Sequence, residues 1–183
     1  MRFHIQGLDP KLFAPLFQLA DGELAAMGAQ RVRADKADAY PCRVSLRRAE
    51  EGDELLLINH VHQPVASSPY RANGPIFVGR SAEPARFEDE LPPMLRDRLV
   101  SLRAYDERAF IVEAEVAEGP ETEATLRRFL ATPGVAAVDI HFARRGCFAA
   151  RAVRGSNQRE IAWAGSHAHQ PLIAVACSHS VGS

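Results

Sequence analysis

The chain has 183 residues, 46% of them apolar, with 22 basic side chains against 23 acidic ones. That size and balance suit one globular domain with a packed core, and they leave no single-sign field to gather nucleic acid or anionic lipid. No apolar run approaches the roughly 18 residues that cross a bilayer, and the amino terminus MRFHIQGLDP lacks a secretory apolar stretch. The expected setting is therefore the cytoplasm, where Cys42, Cys147 and Cys177 stay thiols.

Asp9 before Pro10 is a cap followed by a first-position proline, and Leu12, Phe13, Leu16 and Phe17 recur at helical spacing. Pro15 cannot donate to the carbonyl of Lys11, so two short turns in succession are expected in place of one straight helix. Asp21 is read as the cap of a second helix, Glu23 to Met27, ended by a left-handed Gly28.

Arg43 to Leu46 and Pro75 to Val78 read as short strands, and ELLLINHVH, from Glu54 to His62, as a longer one that is apolar on both faces over its first half. Between these lies QPVASSPYRANG, residues 63–74, a connection long enough to suggest a functional loop. From Leu99 to Val116 the alternation predicts a hairpin, with Arg103 and Tyr105 facing a partner strand that carries Glu113 and Glu115.

A helix from Pro120 to about Ala131 has Glu121 and Glu123 in its first turn and Arg127 and Arg128 near its end, both favourable to the macrodipole. A second hairpin joins Ala136–Phe142 to CFAARAVR through Arg144, Arg145 and a left-handed Gly146. A three-residue loop there pairs Ala143 with Cys147 and puts Asp139, His141, Cys147 and Arg151 on one face. A two-residue turn sets Cys147 beside Phe142 instead. After Arg154 the charge nearly vanishes, with Arg159 and Glu160 alone remaining, and residues 155–183 read as a mobile tail on a domain spanning residues 1–154. The fold class expected is α+β, mostly antiparallel, with a few short helices and a closing hairpin, helix, hairpin unit.

On the motifs GLDPKLFAPLF, YPCRVSL, SPYRANGPIFV, LVSLRAYD and RRGCFAARAVR, in this order, the chain resembles the bacterial family named domain of unknown function 1203, over roughly residues 3–154. The resemblance implies no activity, substrate or catalytic residue. It implies an aromatic side chain at position 60, where this chain has His60.

Three constellations carry chemistry. Tyr70, Arg71 and Asn73 in the long loop offer a hydroxyl, a guanidinium and an amide suited to holding a carboxylate or phosphate, with His62 beside them. His60 and His62 point to the same side of their strand, about 6–7 Å apart, a spacing that two ligands of one metal can use; the residues alone identify no third ligand, which His141 could supply if its strand neighbours theirs. Cys147, His141 and Asp139 have the composition of a thiol nucleophile, its base and an orienting acid. These support a module that binds an anionic small molecule or peptide, a small thiol or metal-assisted enzyme, or a homodimer paired through its sheet edges. No resident cofactor, nucleic acid or membrane partner is expected.

Overall fold

The structure, a computed structural model, describes residues 1–155, so the expectation for the tail lies outside the described residues. In chain order, strand β1 (Phe3–Gln6) leads into 3-10 turns at Pro10–Leu12 and Ala14–Gln18. Helix α1 (Asp21–Ala26), β2 (Gln30–Arg33), β3 (Glu54–Gln63), β4 (Ala72–Gly79) and β5 (Arg86–Glu88) follow. The closing unit is β6 (Leu99–Tyr105), β7 (Ile111–Glu118), α2 (Pro120–Ala131), β8 (Ala137–Phe142) and β9 (Phe148–Arg154).

The strands form two antiparallel sheets, a six-stranded one in the order β5-β1-β9-β8-β6-β7 and a three-stranded one in the order β2-β3-β4. Each sheet has its own core. Helix α2 lays Leu126, Phe129 and Leu130 against Val100, Leu102, Val138 and Ile140 of the larger sheet. Phe13, Phe17 and Leu24, from the 3-10 turns and α1, cover Leu56, Ile58 and Val78 of the smaller one. Burying each such side chain is worth about 1.5–3 kcal/mol. Among the described residues, no helix is long and apolar enough to cross a membrane.

The two successive turns at Pro10 and Pro15 form as their prolines require, and the Asp9 carboxylate accepts from the Lys11 N–H. The next helix is capped one residue earlier than expected: Ala20 is the cap, its N–H donating to Glu23 Oε2 at 2.7 Å, while Asp21 is the first helical residue.

Arg43–Leu46 is a turn, not a strand, and Leu46 sits at φ 53°. The reason is that this segment serves both cores. Val44 packs with the smaller sheet and Leu46 with the larger, whereas alternation along a strand would put both side chains on one face. The turn lies so close to β1 that a Cβ added at Gly7 would stand 2.0 Å from the Val44 carbonyl oxygen.

The expected cross-strand ion pairs between β6 and β7 do not form, because Arg103 stands opposite Ala114. Glu113 and Glu115 turn to the opposite side of the sheet and pair with Arg128 of α2.

Candidate functional site

The face of the larger sheet turned away from α2 is polar, because alternation in LVSLRAY and AVDIHF sends Arg103, Tyr105, Asp139 and His141 to it. Register lines these residues up in rows across β6, β8 and β9. Arg103, Asp139 and Arg151 form one row, and Ser101, His141 and Phe148 the next. Asp139 is fully buried and its two oxygens accept from Arg151, Nε at 2.5 Å and a terminal nitrogen at 2.8 Å. The same terminal nitrogen of Arg151 donates to the backbone carbonyl of His62 at 2.9 Å, which ties the far end of β3 to this face.

The smaller sheet presses His60 and His62 onto that face. Strand β3 buries Leu56, Ile58, His60 and His62 on one side, and at its end the pairing with β4 slips between Val61 and Gln63. Such a bulge adds a residue and re-aims its side chain, so Gln63 is buried beside His62. The His62 ring stacks on Phe148 with centroids 5.1 Å apart and meets the His141 ring edge-on at 5.1 Å. His60 lies against Phe13 and Phe148. An imidazole thus occupies the aromatic position that the resemblance implied.

Burial and charge keep this seam between the sheets electrostatically taut. Burial first, then His141, pushes the His62 pKa down to about 4, against a smaller upward pull from Asp139. Burial likewise lowers His141. Tyr105, desolvated and near Asp139, is pushed up to about 12. His141 Nδ1 lies 3.0 Å from the Gly146 carbonyl. His62 Nδ1 and Nε2, His141 Nε2, and both amide atoms of Gln63 are buried with no hydrogen-bond partner among the described residues.

The long loop does fold back over the seam's Tyr105 end: Ser68 Oγ donates to the Ala109 carbonyl at 2.7 Å, and the Tyr70 ring meets Tyr105 and Phe110 edge-on. Tyr70 nevertheless remains 40% exposed, and Arg71 and Asn73 are exposed as well. The structure does not bring these three together as an inward clamp.

Cys147 is separated from His141 by the hairpin's geometry. The loop has four residues, Ala143 to Gly146, closed by Phe142 N–H donating to the Cys147 carbonyl at 3.0 Å, with Gly146 left-handed at φ 73°. Cys147 therefore stands opposite Phe142 and Phe148 takes the place beside His141, until a bulge at Ala149 restores the expected pairing of Asp139 with Arg151. The Cys147 thiol reaches the Arg145 carbonyl at 3.8 Å, and near it Arg43, a buried guanidinium, donates to the Phe148 carbonyl at 2.9 Å. Among the described residues no group of three or more His, Cys, Asp or Glu side chains is arranged to hold a metal ion.

Reading the sequence did not single out Gln63, Arg103 or Phe148 as site residues. Alternation placed Arg103 on the correct face, but nothing local announced the two bulges that bring in Gln63 and Phe148.

No curated protein and no solved structure matches the chain. The family described as "Protein of unknown function (DUF1203)" matches residues 39–154, which leaves the motif GLDPKLFAPLF outside the matched part. That span is well over half of the chain, and the chain belongs to this family.

Proposed function

We propose that this protein is a binding module for a small anionic molecule, held in the seam between the two sheets beneath the end of β3 and the loop that follows it. The observation that carries the reading is the cluster of unpartnered polar atoms on His62, Gln63 and His141, each side chain more than nine-tenths buried. Native interiors pair almost all such groups, and each one left unpaired costs about 1–3 kcal/mol. Five such atoms on β3 and β8, whose His62 and His141 rings touch, are what a ligand site looks like when closed.

The sign of the ligand follows from the charges. Arg103 and Arg151 stand in one row with the single carboxylate Asp139, and among the described residues Arg103 forms no ion pair. The excess is positive, so an anion is favoured. Arg103 thereby takes the role that sequence reading gave to Arg71. Access requires the loop at 64–71 to lift from Ala109 and Tyr105, and its half-exposed Tyr70 and single buried Ser68 hydrogen bond make that a modest cost. The free thiols Cys42 and Cys147 suit a reducing cytoplasm.

A thermal-shift panel of small carboxylates and phosphates tests the reading. A ligand at about 100 times its Kd stabilises by about 2.7 kcal/mol, which for a chain of this size is a rise of about 5–10 °C. Arg103→Met should lose that rise and Arg71→Ala should keep it. A broad panel without a hit, or a rise that depends on Arg71 alone, removes the seam from consideration.

A second reading has its own support. β7 is an edge strand of the larger sheet, and its Val112 and Val116 are 49% and 57% exposed. Its Glu113 and Glu115 pair with Arg128 of α2, so the side that carries Val112 and Val116 is left as an edge that a second copy can pair with. Light scattering on wild type and Val116→Lys checks this: a dimer that the lysine dissociates supports it, and a monomeric wild type ends it.

A further inference from the structure

The hydrogen-bonding capacity of the same seam narrows the ligand, an inference that rests on the anion-binding reading above. A backbone carbonyl only accepts, so the 3.0 Å contact with the Gly146 oxygen assigns the proton to His141 Nδ1. In the neutral ring Nε2 is then a bare lone pair. It is buried, in a residue 1% exposed, and has no partner among the described residues. The carboxylate of Asp139 cannot supply it, since an ionised carboxylate also only accepts and is already held by Arg151.

The rest of the cluster repeats this mixed demand. Neutral His62 presents one N–H and one lone pair, whichever tautomer it adopts, and both of its nitrogens are unpartnered. The Gln63 amide presents two N–H donors and a carbonyl acceptor, also unpartnered. A simple carboxylate, which has only acceptors, could satisfy the Gln63 N–H groups, one His62 N–H and Arg103. It would leave the His141 lone pair, the second nitrogen of His62 and the Gln63 oxygen without a donor.

We propose that the ligand is a small hydroxy-carboxylate, an anion that also carries an O–H, with its carboxylate on the Arg103 and Gln63 side and its hydroxyl donating to His141 Nε2. A site that buries an acceptor for a hydroxyl discriminates strongly against the analogue lacking that hydroxyl, because binding the analogue leaves the acceptor unpaired.

Matched pairs test this by calorimetry on the full chain at pH 7.5: glycolate against acetate, lactate against propionate, malate against succinate. Each hydroxy acid should bind at least about tenfold more tightly than its partner. Fluoroacetate, which is close to glycolate in size but has no O–H, should rank with acetate. This comparison uses wild type alone and does not depend on a variant that folds. In His141→Phe the glycolate advantage should fall to about twofold or less while acetate still binds. Equal, measurable affinities within every pair overturn the hydroxy-acid assignment and leave the anion site standing. If neither member of any pair binds, the seam reading and this inference fall together.

Discussion

The two faces of the six-stranded sheet are written by alternate residues of the same strands, yet they follow opposite rules. Towards α2, Val100, Leu102, Val138 and Ile140 are completely buried and wholly apolar, and the buried polar atom of α2 that lacks a partner among the described residues is Thr122 Oγ1. Towards the smaller sheet, Asp139 and His141 are buried as deeply, and beside them five polar atoms of His62, Gln63 and His141 lack partners among the described residues. A chain that needed only stability could have filled both faces in the first manner, because replacing buried polar groups by apolar groups of the same shape is nearly neutral or stabilising. The contrast separates a face that folds the protein from the face on which binding is proposed.

The two faces differ most in how they answer the loss of a charged partner, at Asp139 and Arg151. Asp139→Ala strands Arg151, whose side chain is only 12% exposed, and should cost about 3–5 kcal/mol in urea unfolding. Leu102→Ala on the apolar face should cost a similar amount, about 2–5 kcal/mol, but through a cavity. The mechanisms part in the double replacement Asp139→Leu with Arg151→Met, which should recover most of the loss. A cost under about 1 kcal/mol for Asp139→Ala would mean a wet seam.

Next comes pH. His62 faces Asp139 and His141 of β8, Arg151 and Phe148 of β9, and Arg103 of β6, and its pKa falls from 6.5 to about 4 on folding. Between those values the unfolded chain holds a proton that the folded chain refuses, so stability is complete above about pH 6.5, declines as pH falls towards 4, and levels off below. The swing is of order 2–3 kcal/mol. In denaturation curves at pH 7 and pH 4.5, His62→Phe should lose this share of the slope. A variant that keeps the full slope would show that His62 is charged in the folded protein.

A smaller effect has the opposite sign. Gln63→Leu removes two unpartnered polar atoms and should stabilise by about 1 kcal/mol while weakening anion binding. Destabilisation of the same size would show that the amide is structurally paired. The control is the exposed pair partner Arg128→Ala on the far side of the sheet, which should change stability by under about 1 kcal/mol.

Much of the apolar face was legible in advance, because alternation in LVSLRAY and AVDIHF and the periodicity of α2 are local signals. Asp139, His141 and Arg151 were placed on a shared face by the same logic. What escaped was register. The four-residue hairpin loop moves Cys147 to Phe142, and the compensating bulge at Ala149 then returns Arg151 to Asp139. No feature of RRGCFAAR distinguishes that path from a three-residue loop, since both want a left-handed Gly146. The bulge that buries Gln63 depends on β4, far along the chain. β1, β2 and β5 are too short to show a period, and they exist because long-range pairing holds them. Arg71 looked like the binding cation because its loop is long; the fold buries the loop's Ser68 and leaves Arg71 outside.

The proposed receptor for the ligand is the seam, not the loop's exposed rim. A nitrogen-15 NMR titration of histidine and glutamine side chains with the tightest-binding carboxylate of the thermal-shift panel decides between them. Saturable shifts are expected at His62, His141 and the Gln63 amide, with the His62 pKa rising from about 4 as an anion settles beside it. Saturable binding that leaves these three side chains unmoved and shifts the Arg71 guanidinium instead would contradict the assignment to the seam.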